Sequence, residues 1–253
     1  MTVGRLDTYL APTALTPGAL AGTVAVVIDV LRASTTIAAA LEAGARSVVP
    51  FLETEDAVRT ARQFDRSEVR LAGERHMRAI DGFDLGNSPL EFTPTSVAGR
   101  TVLLTTTNGT RALHAAHDAA AIYVASFVNA SATLGALDHA LDVGMPVAFV
   151  CAGHDGRLSL EDATLAGRLV DALATRYAHV TLDDASFTCR LLHDRYGDDT
   201  ARLFAEAEHG RALADAGFGD DLRACGAIDT HPIRCRYHDH VITGAPVPAT
   251  LTA

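Results

Sequence analysis

Three short stretches of this sequence place acids, hydroxyls and an arginine directly after apolar runs. In the first, VVIDVLRASTT, Asp29 ends an apolar run and Arg32 precedes an alanine-rich helical pattern. An aspartate at a strand tip is a typical ligand for Mg²⁺, and an arginine can hold a phosphate through two parallel hydrogen bonds. A helix cap and an Asp29–Arg32 ion pair would use the same residues, so this stretch alone leaves both interpretations open. We assign Asp29 and Arg32 to catalysis, and substrate binding at this helix start to Ser34, Thr35 and Thr36.

The second stretch, TTTNGTRAL, covers residues 105–113. Its glycine permits close approach of a ligand to the backbone, and its hydroxyl and amide groups offer hydrogen-bond donors. An ordinary helix cap would need only one or two of these groups. We therefore predict that substrate is bound here by Thr107, Asn108, Gly109 and Thr110.

The third stretch, CAGHDGRLSLEDATLAG, covers residues 151–167. Its SLED motif fits a capping box in which Ser159 begins a helix. The two acids of that motif could also join the first stretch around a divalent ion, because Mg²⁺ is held by carboxylates. The predicted metal ligands are Asp29, Glu161 and Asp162. The residues of this stretch assigned to substrate binding are Cys151 and Gly153.

Two further segments add polar groups to this set. LAGERHM ends another apolar run and contributes Glu74 and Arg75. LGNSPLEF belongs to a long irregular segment, residues 75–98, of the kind that often carries function. We expect Asn87 and Ser88 of this segment to form a lid over the substrate.

The elements that must position these groups alternate between β-rich and helical patterns. Strands are predicted at 23–30, 47–51, 69–74, 101–107, 121–127 and 146–153, and helices at 34–43, 54–64, 109–117, 130–142 and about 160–176. This alternation predicts an α/β fold with a largely parallel, buried sheet and helices on both faces. Open parallel sheets bind ligands at the carboxyl ends of their strands, so the three stretches are expected to share one anion pocket.

The last third of the chain has a different pattern. Helices are predicted at 186–195 and 199–216, and a polar, histidine-bearing tail ends in GAPVPATLTA, which we interpret as a loop or loosely attached terminus. The sequence contains no repeat and no low-complexity linker. We expect one domain over 1–253, with a candidate subdomain boundary near residue 125.

Composition excludes several classes of function. The formal net charge is −10, which argues against nucleic acid or a membrane as partner, because both attract basic surfaces. All 21 basic residues are arginine, so Schiff-base lysines and the P-loop lysine are excluded. No signal-peptide pattern and no apolar run of ~18 residues occurs, so a cytoplasmic protein is expected. The four cysteines form no CxxC pair, which argues against structural zinc.

The motifs together resemble the 2-phosphosulfolactate phosphatase (ComB-like) family. The matching pieces are IDVLRASTT, GER, GNSP.E, TTNGT and CAG..G..S.ED...AG, in order between residues 24 and 167. The resemblance implies a three-layer α/β/α fold and Mg²⁺-dependent hydrolysis of 2-phospho-3-sulfolactate, or a related phosphorylated hydroxy acid, to 3-sulfolactate and phosphate. That reaction belongs to coenzyme M biosynthesis. A homodimer is compatible with the sequence.

Water attack assisted by a metal ion is the leading hypothesis, and three alternatives stay open. Cys151 and Arg157 have the spacing of a cysteine-dependent phosphatase loop, although Val150 stands where such enzymes carry a histidine. A covalent aspartyl-phosphate at Asp29 is the second alternative, although Leu31 occupies the position of the second acid that such enzymes carry. A non-catalytic small-anion binding protein would use the same polar strand ends.

Overall fold

The computed structural model describes residues 4–247, which form a mixed sheet with helices on both faces. The strands are β1 (Arg5–Tyr9), β2 (Val24–Ile28), β3 (Ser47–Phe51), β4 (Val69–Arg75), β5 (Arg78–Ala79), β6 (Thr101–Thr105), β7 (Ala121–Ala125), β8 (Val147–Cys151), β9 (Thr181–Leu182), β10 (Ile233–His238) and β11 (Val241–Pro246). The helices are α1 (Ala33–Glu42), α2 (Thr54–Ala61), α3 (Pro94–Val97), α4 (Gly109–Ala115), α5 (Ala130–Asp142), α6 (Leu160–Arg176), α7 (Asp184–Tyr196), α8 (Thr200–Glu206), α9 (Glu208–Asp215) and α10 (Gly219–Cys225). The α/β class expected from the alternating pattern is confirmed.

The sheet consists of two parallel blocks joined by an antiparallel hairpin. Its strand order is β5-β4-β6-β3-β11-β10-β7-β2-β8-β1-β9. In the larger block Ile28 pairs with Cys151 on one side and with Ala125 on the other, so β2, β7 and β8 end level. Both β2 and β8 are buried throughout and rich in valine, as expected of central parallel strands covered on both faces. This register places Asp29 at the tip of a central strand.

The loop or loose terminus predicted for GAPVPATLTA is wrong at residues 244–246, which belong to the β10–β11 hairpin (233–246) at the centre of the sheet. Ile233, Cys235 and Ile242 are almost fully buried, and α1 packs against both hairpin strands. The sequence IRCRYH does alternate apolar and polar residues, but its arginines and histidines make the segment look solvated. Residues 248–253 of the predicted terminus lie outside the described part of the chain.

The hairpin also bends the sheet. Three successive antiparallel pairings separate β7 from β3, so in a flat sheet the carboxyl ends of β2 and β6 would point to opposite edges. The residues that follow these two strands nevertheless meet, because a Cβ atom placed on Gly109 would stand 2.9 Å from Asp29 Oδ2. The sheet therefore curves around α1, which contacts β3, β7, β10 and β11.

The helix predicted over 199–216 is two helices, α8 and α9, divided at Ala207. Ala207 is extended, with ψ of 139°, and Gly210 lies so close to the backbone of Phe204 that a Cβ there would stand 2.1 Å from the Phe204 carbonyl oxygen. This break brings the start of α9 over the carboxyl end of the sheet. Within residues 4–247, no helix combines the length and apolar character needed to cross a membrane.

Candidate active site

A cavity of about 200 Å³ lies where β2, β4 and β6 end and is closed on one side by α9. Ligand sites of open α/β sheets occupy this position. Six of the predicted site residues line the cavity, namely Asp29, Arg32, Glu74, Asn87, Thr107 and Asn108. The structure thus brings together groups that are as many as 79 positions apart in the sequence, from 29 to 108.

Asp29 is a buried carboxylate that pairs with no guanidinium in the described part of the chain. It is 6% exposed, and Ala33 N–H donates to its Oδ1 at 3.2 Å. The pKa of Asp29 is raised to about 6, chiefly by burial; His209 and the Ala33 N–H oppose this rise, and the Glu74 and Glu161 carboxylates contribute to it. The negative charge of Asp29 is therefore costly at this buried position, and a bound cation would relieve this cost.

Arg32 does not form the predicted alternative ion pair with Asp29. Its Nη1 donates instead to Asp221 Oδ2 at 2.7 Å, and both side chains are buried. The guanidinium also lies 4.2 Å from the centre of the Phe218 ring, and Nη2 is 3.4 Å from the carbonyl oxygen of Met77. The side chain of Arg32 is thus held in one place in the cavity wall.

The three hydroxyls at the start of α1 make internal hydrogen bonds. Ser34 Oγ accepts from the Asp29 N–H at 2.9 Å, Thr35 Oγ1 donates to the Val30 carbonyl oxygen at 2.8 Å, and Thr36 Oγ1 donates to the Asn87 carbonyl oxygen at 2.9 Å. All three side chains are buried beside the cavity but do not line it. They fix the β2–α1 junction, and their role in binding substrate stays a prediction.

Glu74 organises the opposite wall. Its Oε1 accepts from the Thr107 N–H at 2.9 Å and from Thr107 Oγ1 at 2.8 Å, and its Oε2 accepts from the Met77 N–H at 3.0 Å. Arg75 lies outside the cavity wall and donates to the carbonyl oxygen of Leu52 at 3.0 Å. Glu74 therefore joins the ends of β4 and β6, whereas the structure does not bring Arg75 to the other site residues.

Gly109 permits the close approach of α1 and α4. A Cβ atom at this position would stand 2.6 Å from the Ala33 Cβ and 2.9 Å from Asp29 Oδ2. The following Thr110 hydroxyl donates to the Thr106 carbonyl oxygen at 2.8 Å and is buried. The glycine is needed for packing at the site, because any side chain there would displace Asp29.

Asp162 joins two strand ends. It accepts from the Val30 N–H at 2.8 Å and from the Gly153 N–H at 3.1 Å, one bond to each carboxylate oxygen. Ser159 begins α6 as predicted, because its Oγ accepts from the Asp162 N–H at 3.2 Å. Both oxygens of Asp162 are thus engaged by the backbone at the ends of β2 and β8.

Glu161 is almost fully buried and lies beside His209. Its Oε1 is 3.5 Å from His209 Nδ1, and it lines a neighbouring cavity of about 300 Å³. Over residues 4–247, no three His, Cys, Asp or Glu side chains are grouped as metal ligands. Burial and the nearby Asp29 and Glu161 carboxylates raise the pKa of Asp162 well above its ordinary value, so the three acids lie near one another. Their role as metal ligands stays a prediction.

The geometry contradicts the cysteine-dependent alternative. Cys151 is fully buried, and burial raises the pKa of its thiol well above the ordinary value, with the charge of Asp162 adding to the rise. A reactive thiolate needs the opposite conditions. Arg157 is exposed and pairs with Glu208 at 3.3 Å instead of facing the thiol. Cys151 and Gly153 do not line the central cavity either, so their assignment to substrate binding has no support from its geometry.

Several cavity residues were missed by reasoning from the sequence. His209 lines the cavity and stacks on His154 with ring centroids 4.3 Å apart. Asp221 and Phe218, which hold Arg32, come from the same C-terminal third of the chain. His209 and Asp221 lie in the segments HGRAL (209–213) and GDDLRAC (219–225), which carry no motif that marks a site.

A cavity at strand ends, with a carboxylate and a guanidinium in its wall, is a typical ligand site of an α/β protein. The comparisons identify the class of the protein as a phosphoric monoester hydrolase. The family model described as 2-phosphosulpholactate phosphatase matches residues 9–240. The chain belongs to this family.

Similar proteins from distant bacteria carry the same description. The probable 2-phosphosulfolactate phosphatase of Symbiobacterium thermophilum is 44% identical over 211 residues, covering 83% of this chain and 89% of that protein. Its counterpart from Synechocystis sp. is 38% identical, covering 85% and 89%. That of Caldicellulosiruptor saccharolyticus is 36% identical, covering 90% and 94%. The match extends over nearly the whole length of each of these proteins.

Proposed function

We propose that this protein is a Mg²⁺-dependent phosphatase that hydrolyses 2-phospho-3-sulfolactate, or a related phosphorylated hydroxy acid, to 3-sulfolactate and phosphate. The observation that carries the proposal is the buried Asp29 carboxylate, which pairs with no guanidinium among residues 4–247 and shares a cavity wall with Arg32. Family membership and the names of the relatives support the choice of substrate. The proposal includes a cytoplasmic location and a step of coenzyme M biosynthesis.

The cavity residues fit Mg²⁺ with Asp29 as the protein ligand. Mg²⁺ usually takes one or two carboxylates and completes its shell with water and substrate oxygens, so three clustered acids are not required. Asn87 Oδ1 adds a buried oxygen that lacks a hydrogen-bond partner among residues 4–247. When bound, the ion would neutralise charge on the phosphoryl oxygens.

The chain itself would bind and orient the substrate. Arg32 donates to the phosphoryl oxygens through the N–H groups that Asp221 does not use. Asn108 occupies the N-cap position of α4, but its side chain makes no capping hydrogen bond within residues 4–247, so its amide can donate to a ligand. Water adds to phosphorus, the ester P–O bond breaks, and the departing alkoxide takes up a proton to become the hydroxyl of 3-sulfolactate.

The remaining anionic groups of the substrate face a wall that carries three imidazoles. His76, His154 and His209 line the cavity together with Arg32. A substrate with phosphate, carboxylate and sulfonate groups needs several donors of this kind, because each desolvated anion requires hydrogen bonds. These donors in the wall favour a substrate with several anionic groups over the phosphate ester of an uncharged alcohol.

Phosphate release from a panel of phosphorylated hydroxy acids tests the proposal. We expect turnover of 2-phospho-3-sulfolactate in Mg²⁺, none in excess EDTA, and recovery when Mg²⁺ is restored. Phosphoglycerate and phospholactate serve as matched substrates without the sulfonate. Tight binding of phosphosulfolactate in Mg²⁺ without phosphate release would instead indicate a small-anion binding protein and would refute the phosphatase proposal.

A further inference from the structure

Asp221 on α10 makes the closest contact to the catalytic guanidinium. Its Oδ2 accepts from Arg32 Nη1 at 2.7 Å, and its Oδ1 accepts from Ser88 Oγ at 2.7 Å. Both oxygens of the carboxylate are therefore engaged, and its orientation is fixed. The Phe218 ring, one helical turn earlier in the chain, covers the guanidinium at 4.2 Å. Neither the sequence motifs shared with the family nor the proposed function assigns a role to the contact between Asp221 and Arg32.

Without Asp221, Arg32 would have other buried partners nearby. Asp29 and Glu74 line the same cavity and are 6% and 8% exposed. A buried guanidinium requires a counter-charge, since an unpaired charge away from water is very unfavourable. If Arg32 turned to Asp29, it would neutralise the carboxylate that the proposed function leaves for the metal ion, and it would no longer face the substrate.

We propose that Asp221 is a positioning residue that holds the Arg32 guanidinium in the cavity wall and keeps it away from Asp29, so that Arg32 remains available to the phosphoryl group. This inference rests on the proposed function, because that function assigns Arg32 to the phosphoryl oxygens. A guanidinium has five N–H donors, and the bonds to Asp221 and to the Met77 carbonyl use two of them. The others are free of partners in residues 4–247.

The proposal gives the C-terminal third of the chain a part in the reaction. Phe218 and Asp221 both belong to the segment around α10, whereas Ser88 comes from the irregular segment before α3. Asp221 and Phe218 contact Arg32 directly, and Ser88 acts through Asp221. Arg32 is thus fixed between two distant parts of the chain, and its donors face the cavity.

The test is a double-mutant cycle between Asp221→Asn and Arg32→Lys. Asn has the shape of Asp without its charge, so Asp221→Asn should lower kcat/KM roughly 10- to 100-fold and weaken the binding of inorganic phosphate to a similar extent. In the Arg32→Lys background the same change should alter kcat/KM by less than about threefold, because a residue that acts through Arg32 has little left to position. Additive losses in the cycle would overturn the proposal.

Asp220→Asn is the matched control. Asp220 is the preceding residue of α10, is exposed, and pairs with Arg223 on the surface. Its substitution should leave kcat/KM and phosphate binding within about twofold of the wild type. Folded Asp221→Asn with wild-type kcat/KM and phosphate affinity would refute the inference.

Two further measurements keep the outcomes distinct. If Asp221→Asn does not fold, Ser88→Ala decides, because it preserves the ion pair and removes only the hydroxyl that orients Asp221. A rise of about threefold in the KM and in the phosphate dissociation constant is then expected, and unchanged values would refute the proposal. If the wild type hydrolyses no substrate of the panel, the proposed function fails, while the calorimetric affinity for phosphate still tests whether Asp221 positions Arg32.

Discussion

Replacement of Asp29 by Asn is expected to abolish phosphate release and, at neutral pH, to make the protein more stable. Burial raises the pKa of Asp29 from its ordinary 3.8 to about 6 in the folded protein. At about 1.4 kcal/mol per pH unit, this difference lowers the free energy of unfolding by roughly 3 kcal/mol once the carboxylate is ionised. Asn is neutral and can still accept the Ala33 N–H, so the variant escapes this cost.

The pH dependence of stability identifies the cause. Because the folded protein holds the proton of Asp29 more tightly than the unfolded chain, this group contributes no cost below pH 3.8. Its cost grows between pH 3.8 and about 6 and stays constant above that range. The free energy of unfolding of Asp29→Asn, relative to the wild type, should therefore increase by roughly 3 kcal/mol between pH 4 and pH 8.

Urea denaturation in EDTA at several pH values between 4 and 8 measures this difference, and phosphate release is assayed in parallel. Asp220→Asn removes an exposed carboxylate and should change stability by less than about 0.5 kcal/mol at every pH. Added Mg²⁺ should stabilise the wild type but not Asp29→Asn, since only a ligand of the folded state raises stability. A difference that does not vary with pH, or a variant less stable than the wild type at pH 8, would refute the reasoning.

Three other perturbations test the packing and the chemistry of the site. Gly109→Ala should lose about 1–3 kcal/mol of stability in urea denaturation and most of its activity, because the new Cβ would stand 2.6 Å from the Ala33 Cβ. Gly135→Ala is the control: Gly135 lies in α5 with open space around it, so this variant should gain up to about 1 kcal/mol in the same measurement. Ile242→Ala should lower the free energy of unfolding by about 2–5 kcal/mol because Ile242 is buried, and Thr243→Ala by less than about 0.5 kcal/mol because Thr243 is exposed. Equally small losses in both variants would mean that the hairpin is loosely attached. Iodoacetamide should leave phosphate release intact in the folded protein because the cysteines are buried, while EDTA removes it; the reverse result would revive thiol chemistry.

Much of the fold follows from local sequence patterns. The valine-rich runs of β2 and β8 and the helical period of 130–142 and 160–176 match the observed elements closely, because buried parallel strands and their covering helices have strong periodicities. The β10–β11 hairpin was not predictable in this way. Its pairing with β3 and β7 joins residues more than 100 positions apart in the sequence, and no local pattern shows which strands it separates.

The candidate site, like the fold, was only partly predictable from the sequence. The strand-to-helix junctions at Asp29 and Asn108 are visible in the sequence, since polar residues follow apolar runs there. The hydrogen-bond partners of each side chain are not visible in the sequence. Asp162 and Thr107 join neighbouring strand ends, and this depends on which groups lie opposite them in the fold. Residue type and position predicted the location of the cavity, but not which of its oxygens are free.

Charge pairing shows why the free oxygens matter. Arg32 follows Asp29 by three positions, yet its partner is Asp221, 189 positions away and one of 31 acidic residues in the chain. A pair between Arg32 and Asp29 would have compensated two buried charges at once and lowered the pKa of Asp29. The observed pairing leaves Asp29 ionised at a cost to stability. Such a cost is expected where a carboxylate is kept for a cation that binds with the substrate, because only the bound state then has balanced charge.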